Sequence, residues 1–162
     1  MANNTIKFKV LRRLIFGICL VVFVNRSTYG QIEQPVRWSY GLKKVATGLY
    51  EIHLLATMDK DWHIYAQKQP ESAIAVPTTI AFDKSTAITL IGIPREIGKK
   101  ESYVVKEVDA TNLEYAGKVD FVQKIKVNGP LKQIKGSVSF QACTHTRCLP
   151  EETVNFTIPF KD

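Results

Sequence analysis

The sequence predicts an all-β protein, and three observations carry that reading. First, residues 118–127 alternate: Val119, Phe121, Ile125 and Val127 share one parity, interrupted by Gln123, against Lys118, Asp120, Lys124 and Lys126 on the other. Residues 153–160 repeat the pattern, with Val154, Phe156, Ile158 and Phe160 against Thr153, Asn155, Thr157 and Pro159. Such period-two alternation marks strands with one face buried. Second, turn residues recur at short intervals, at Gly41, Gly48, Pro77, Pro94, Gly117, Asn128-Gly129-Pro130 and Gly136. Third, no window holds an apolar stripe of three helical turns. Many short strands with frequent turns imply two packed antiparallel sheets, an immunoglobulin-like sandwich.

The N-terminus comes first in the chain and sets the compartment. Lys7, Lys9, Arg12 and Arg13 precede an apolar run of 11 residues from Leu14 to Val24. A bilayer span takes roughly 20 residues, so this run suits a secretory signal peptide better than an anchor. Cleavage is expected near Gly30/Gln31, giving a signal peptide of residues 1–30 and one domain of residues 31–162. No second apolar span follows, so the mature protein is expected to be exported and not to span the membrane.

Charge excludes some partners. The whole chain holds 22 basic and 15 acidic residues, a net of +7. Five of the basic residues (Lys7, Lys9, Arg12, Arg13, Arg26) fall before residue 31, which leaves 17 against 15 and a net of +2. That balance provides no electrostatic case for binding nucleic acid or acidic membranes.

Further strands are expected at residues 50–58, 62–66, 78–82 and 87–91, all rich in β-branched and aromatic side chains. Residues 94–112 read as a long charged connection, with at most a short strand at 103–105. Residues 136–143 alternate again, and Cys143 shares its parity with Ser137 and Ser139 rather than with Val138 and Phe140. That placement predicts an accessible thiol.

Of the three cysteines, Cys19 lies in the signal, so Cys143 and Cys148 are the mature pair. They sit at the two ends of a hairpin connection, where α-carbons can come as close as a disulfide needs, usually ~4.4–6.8 Å. His145 and Arg147 lie between them, and a nearby cation favours the nucleophilic thiolate. A bridge over so short a loop removes little entropy from the unfolded chain, which weakens a purely structural purpose. Residue chemistry leaves three readings open: a hairpin staple, a cycling dithiol, and a metal site of Cys143, His145 and Cys148. The last lacks a fourth ligand, so no metal and no organic cofactor is expected.

A resemblance narrows this. The run Phe140-Gln141-Ala142-Cys143-Thr144-His145-Thr146-Arg147-Cys148-Leu149-Pro150-Glu151-Glu152 resembles the N-terminal periplasmic domain of the thiol:disulfide interchange protein DsbD. Lys60-Asp61-Trp62-His63-Ile64-Tyr65-Ala66-Gln67 is similar to that family's Trp-His-x-Tyr strand. Pro77-Thr78 and Ile134-Lys135-Gly136 also fit. Glu151 departs from the pattern, standing where the family often has a second proline.

The resemblance implies a sandwich with a redox-active pair at one end, passing electrons to thioredoxin-like periplasmic proteins. Cys148 would form the mixed disulfide and Cys143 would resolve it. His63 and Tyr65 would line the site with His145 and Arg147, and a cap loop within residues 99–112 would shield it through Tyr103 or Val108. The electron donor would be a separate integral membrane protein. The competing reading is a non-enzymatic binding module whose disulfide only pins a hairpin.

Overall fold

Strands form where β-branched and aromatic residues alternate with polar ones, and the computed structural model follows that rule over residues 33–161, the part it describes. The expected signal peptide, residues 1–30, lies outside the described residues, as does the expected start at Gln31. The elements are β1 (Val36–Ala46), β2 (Leu49–Met58), β3 (His63–Tyr65), β4 (Thr79–Phe82), β5 (Ile88–Val105), a 3-10 turn (Lys106–Val108), β6 (Ala110–Val127), β7 (Gln133–Phe140), β8 (Ala142–Cys143) and β9 (Glu152–Pro159).

All pairings are antiparallel. One sheet has six strands in the order β1-β2-β6-β3-β8, with β5 also paired to β6, and the other has three in the order β4-β7-β9. The long strand β6 organises the first sheet. Its C-terminal half pairs with β2, its N-terminal half with β3, and β5 runs along its other side. The fold is thus an immunoglobulin-like antiparallel β-sandwich.

The core fills the gap between the two sheets. On β2 every second residue from Tyr50 to Met58 is buried, and Val119, Phe121 and Ile125 of β6 lie in the same layer. Ile134, Val138 and Phe140 of β7 and Phe156 and Ile158 of β9 meet them from the other sheet. Burying a side chain of this size contributes ~1.5–3 kcal/mol. Gly136 leaves room inside this layer: a β-carbon there would collide with the Ala81 carbonyl and the Phe156 ring.

Several expectations need correction. Residues 94–112 are not a connection but most of β5, the 3-10 turn and the start of β6. β5 is an edge strand with few buried side chains, so it carries no alternation for the eye to find. Gln123, the interruption on β6, is buried and donates to the carbonyl oxygens of Ile91 (3.1 Å) and Lys124 (2.7 Å), beside the bulge in β5 between Ile91 and Arg95. β1 was not anticipated, although Val36, Trp38, Tyr40 and Leu42 alternate along it and pack on the core. Gly41 and Gly136 lie within strands, opposite His53 and Phe156, rather than at turns. Gly48 does make a turn, at φ 69°.

Glu96 ties the edge strand down. Its carboxylate accepts from the Gln67 N–H (2.6 Å) and the Tyr115 hydroxyl (2.9 Å), and pairs with Lys100 (2.7 Å). Burial alone would raise its pKa, but hydrogen bonds from Lys100, Gln67 and Tyr115 outweigh it and hold the carboxyl below its ordinary value. A depressed carboxylate pKa stabilises the fold above the unfolded value and loses that stabilisation as pH falls through the folded one. Glu96→Gln is therefore expected to lower stability by roughly 1–2 kcal/mol at pH 7. The difference from the parent should shrink as pH drops below about 4.3. Urea midpoints at pH 7 and at pH 3 check both expectations.

Candidate functional site

The site is built on β3, which lies between β6 and β8. The register pairs Ile64 with Tyr115 and Ala142, all of which point into the core. Alternation then sends His63, Tyr65, Glu114 and Cys143 out of the opposite face, because directly paired residues share a face. The Thr78 hydroxyl donates to the Tyr65 carbonyl (2.6 Å) and anchors β3 from below.

Cys143 and Cys148 form a disulfide, with an S–S distance of 2.02 Å and α-carbons 4.0 Å apart. A tight turn over residues 144–147 brings them together. The Thr144 N–H donates to the Arg147 carbonyl (2.8 Å), while the Thr144 hydroxyl oxygen accepts from the N–H groups of Thr146 (3.3 Å) and Arg147 (3.2 Å). Beyond the turn, the Leu149 N–H donates to the Ala142 carbonyl (2.9 Å) and Gln141 Nε2 to the Leu149 carbonyl (3.0 Å).

The pair is asymmetric. Cys143 is 0% exposed, whereas Cys148 is exposed. Parity correctly placed Cys143 on the face away from the core, but not in solvent: β3 runs beside it and Cys148 is bonded over it. The accessible cysteine is Cys148.

Further side chains close around the bridge. The Tyr65 hydroxyl lies 4.0 Å from Cys148 Sγ. Burial, reinforced by the Glu114 charge, raises the Tyr65 pKa, so this hydroxyl keeps its proton at neutral pH. The Arg147 guanidinium sits over the Trp62 ring, 4.9 Å from its centroid, a cation–π contact that orients the turn. His63 Nε2 lies 3.3 Å from Glu114 Oε2, and His145 Nε2 lies 3.2 Å from Glu114 Oε1. Burial lowers the His63 pKa; the Glu114 charge opposes this and His145 adds to it.

Tyr103 stacks on His145, with centroids 4.4 Å apart and planes within 6°. The region expected as a cap loop is thus a β5–β6 hairpin that brings Tyr103 to the cluster. Val108 stands at its tip, 59% exposed. The ligand set Cys143, His145 and Cys148 does not form here, because the two sulfurs are bonded to each other and His145 turns to Glu114.

One residue of the site, Glu114, and one contact, that of Trp62, escaped sequence reasoning. Glu114 is 4% exposed and joins both histidines, yet nothing in its local spacing marks it. The only signal was a second polar residue, after Asn112, at a buried position of β6. Trp62 was visible as part of a motif, but its contact with Arg147 depends on the turn geometry.

A sandwich carrying a disulfide-bonded pair at one end of its larger sheet defines a class of disulfide-bearing immunoglobulin-like domains. The sequence profile of a family described as thiol:disulfide interchange protein DsbD, N-terminal, matches residues 42–159, and the chain belongs to that family. Among solved structures, the N-terminal periplasmic domain of ScsB from Proteus mirabilis is similar, with a TM-score of 0.56 and 16% identity. The match covers 78% of this chain and 47% of that one, so the chain spans about half of its length. The DsbD N-terminal domain of Neisseria meningitidis in the reduced form gives a TM-score of 0.49 at 14% identity, over 77% of this chain and 86% of that one. A comparison with curated protein sequences finds no match. Among the described residues, no helix is long and apolar enough to cross a membrane.

Proposed function

We propose that this chain is a periplasmic thiol–disulfide carrier that passes electrons to thioredoxin-like proteins through a mixed disulfide. The observation that supports this most directly is the exposure of Cys148 above a buried Cys143. Thiol–disulfide exchange needs in-line access to one sulfur, and an asymmetric pair selects which one a partner meets.

In the reduced protein, the Cys148 thiolate attacks a sulfur of the partner's disulfide. The partner's other sulfur leaves as a thiolate, which takes a proton from solvent. The Cys143 thiolate then attacks Cys148 Sγ, closing the intramolecular bridge and releasing the partner's second thiolate. Two electrons have moved: the partner is reduced to a dithiol and this domain is oxidised. The Tyr65 hydroxyl is placed to donate a hydrogen bond to the Cys148 sulfur as charge develops there. A separate integral membrane dithiol donor would run the same steps in reverse to reload the pair. Residues 1–30 would export the chain and be removed, leaving residues 31–162 as the working domain.

The reduction potential tests the reading. Equilibration in a glutathione series is expected to place the Cys143–Cys148 couple above about −300 mV, in the range of bridges that cycle. A potential below that would make the bridge a hairpin staple and the domain a binding module.

A further inference from the structure

We infer that His63, Glu114 and His145 form a three-ligand site for a divalent transition-metal ion of the zinc class, beside the cysteine pair. The three ligand atoms lie within 4.8 Å of one another. Around a tetrahedral zinc ion with bonds of ~2.0–2.2 Å, neighbouring ligand atoms stand about 3.3–3.5 Å apart. His63 Nε2 stands 3.3 Å from Glu114 Oε2 and His145 Nε2 3.2 Å from Glu114 Oε1, so each imidazole already meets one oxygen of the same carboxylate at about that length. What remains is to draw the two imidazole nitrogens together around one ion beside the carboxylate. His145 can move to do so, since it rides on an exposed turn and its side chain is 57% exposed.

An independent observation points to a cation ligand. Glu114 is 4% exposed, and its Oε2 is buried and accepts no hydrogen bond. His63 Nε2 is near enough, but its approach lacks hydrogen-bond geometry. A buried carboxylate oxygen without a donor is strongly unfavourable unless a cation satisfies it. This one stands 3.3 Å from His63 Nε2, so a dication held by that imidazole would bond it directly.

The donor set narrows the ion. Two imidazole nitrogens with one carboxylate suit zinc and its neighbours, whereas calcium takes six to eight oxygens and magnesium prefers octahedral oxygen and water. Tyr103 stacks on one face of the His145 ring, so a shift of that ring toward His63 runs within its own plane. Three protein ligands leave a fourth position open, as in zinc sites that keep a water or accept an incoming ligand. Neither cysteine sulfur is needed, so the site is complete while the disulfide is closed. The assignment therefore does not depend on the redox reading.

The test titrates Zn²⁺ into purified protein with the Cys143–Cys148 bridge intact and any Cys19 thiol alkylated, in competition with a chromophoric chelator. One saturable equivalent per chain is expected. Removing even an outer partner of a metal ligand weakens binding ~10–100-fold, so His145→Ala and Glu114→Gln should each weaken it at least tenfold. His53 is the third histidine of the chain and lies outside the cluster, so His53→Ala should bind as the parent does. Co²⁺ loading, read by its d–d absorption, should show the same order among the variants. If Glu114→Gln fails to fold, the exposed His145→Ala decides. Lack of a saturable equivalent in the parent, or parent-like affinity in folded His145→Ala, would overturn the assignment.

Discussion

Cys143→Ser is expected to accumulate a covalent complex with a thioredoxin-like partner, and Cys148→Ser to accumulate almost none. In the first variant the exposed Cys148 thiolate still attacks a partner disulfide, but no second thiol stands behind it to release the partner. Tyr65 stays in place to solvate the developing charge, since its anchor through Thr78 does not involve the bridge. In the second variant the surviving thiol is Cys143, 0% exposed on a strand paired with β3. Reaching it would require opening the β3–β8 pairing. Overall exchange should fall to background in both variants, because turnover needs both sulfurs. Only trapping separates them, and it is read by mass spectrometry as the sum of the two chains. Equal trapping by both variants, or by neither, would favour the binding-module reading.

Which parts of this arrangement could be read from sequence follows from where each residue sits. β2, β6 and β9 were legible because each buries one face, which imposes period two on its side chains. β5 was legible only at its start, within residues 87–91, because neither face of the strand is buried and nothing makes its residues alternate. The glycines misled for a physical reason too. Gly136 is required by the Ala81 carbonyl and the Phe156 ring rather than by a turn, and Gly41 has room for a β-carbon; of the glycines read as turns, Gly48 and Gly117 take a positive φ.

The cysteine pair was legible because its two members are five residues apart, so one local turn suffices to join them. Tyr65 and His63 entered through a motif, and Tyr103 through its place in the expected cap. The link that unites them, Glu114, is set by a strand pairing between residues 49 positions apart (Tyr65 with Glu114), and no local pattern carries that register. For the same reason, the metal-ligand question looked closed along the chain but is open in three dimensions.

Phe140→Ala is expected to lower the stability of the disulfide-closed domain by about 3–5 kcal/mol. Phe140 is 2% exposed at the end of β7, the last core residue before the chain crosses through Gln141 into β8 of the other sheet. Its ring packs on Trp38 at 5.3 Å, and Trp38 in turn meets Phe121 at 5.9 Å, so one aromatic column bridges the two sheets. Truncation removes the apolar burial and leaves a cavity whose walls are strands on both sides and cannot collapse freely. Against a total stability of about 5–15 kcal/mol for a domain of this kind, the loss is a large fraction. Phe140→Leu keeps most of the volume, and its cost should stay below about 1.5 kcal/mol. Urea denaturation with the bridge closed measures both variants. A Phe140→Ala loss no larger than that of Phe140→Leu would mean that the column does not hold the sheets together at this end.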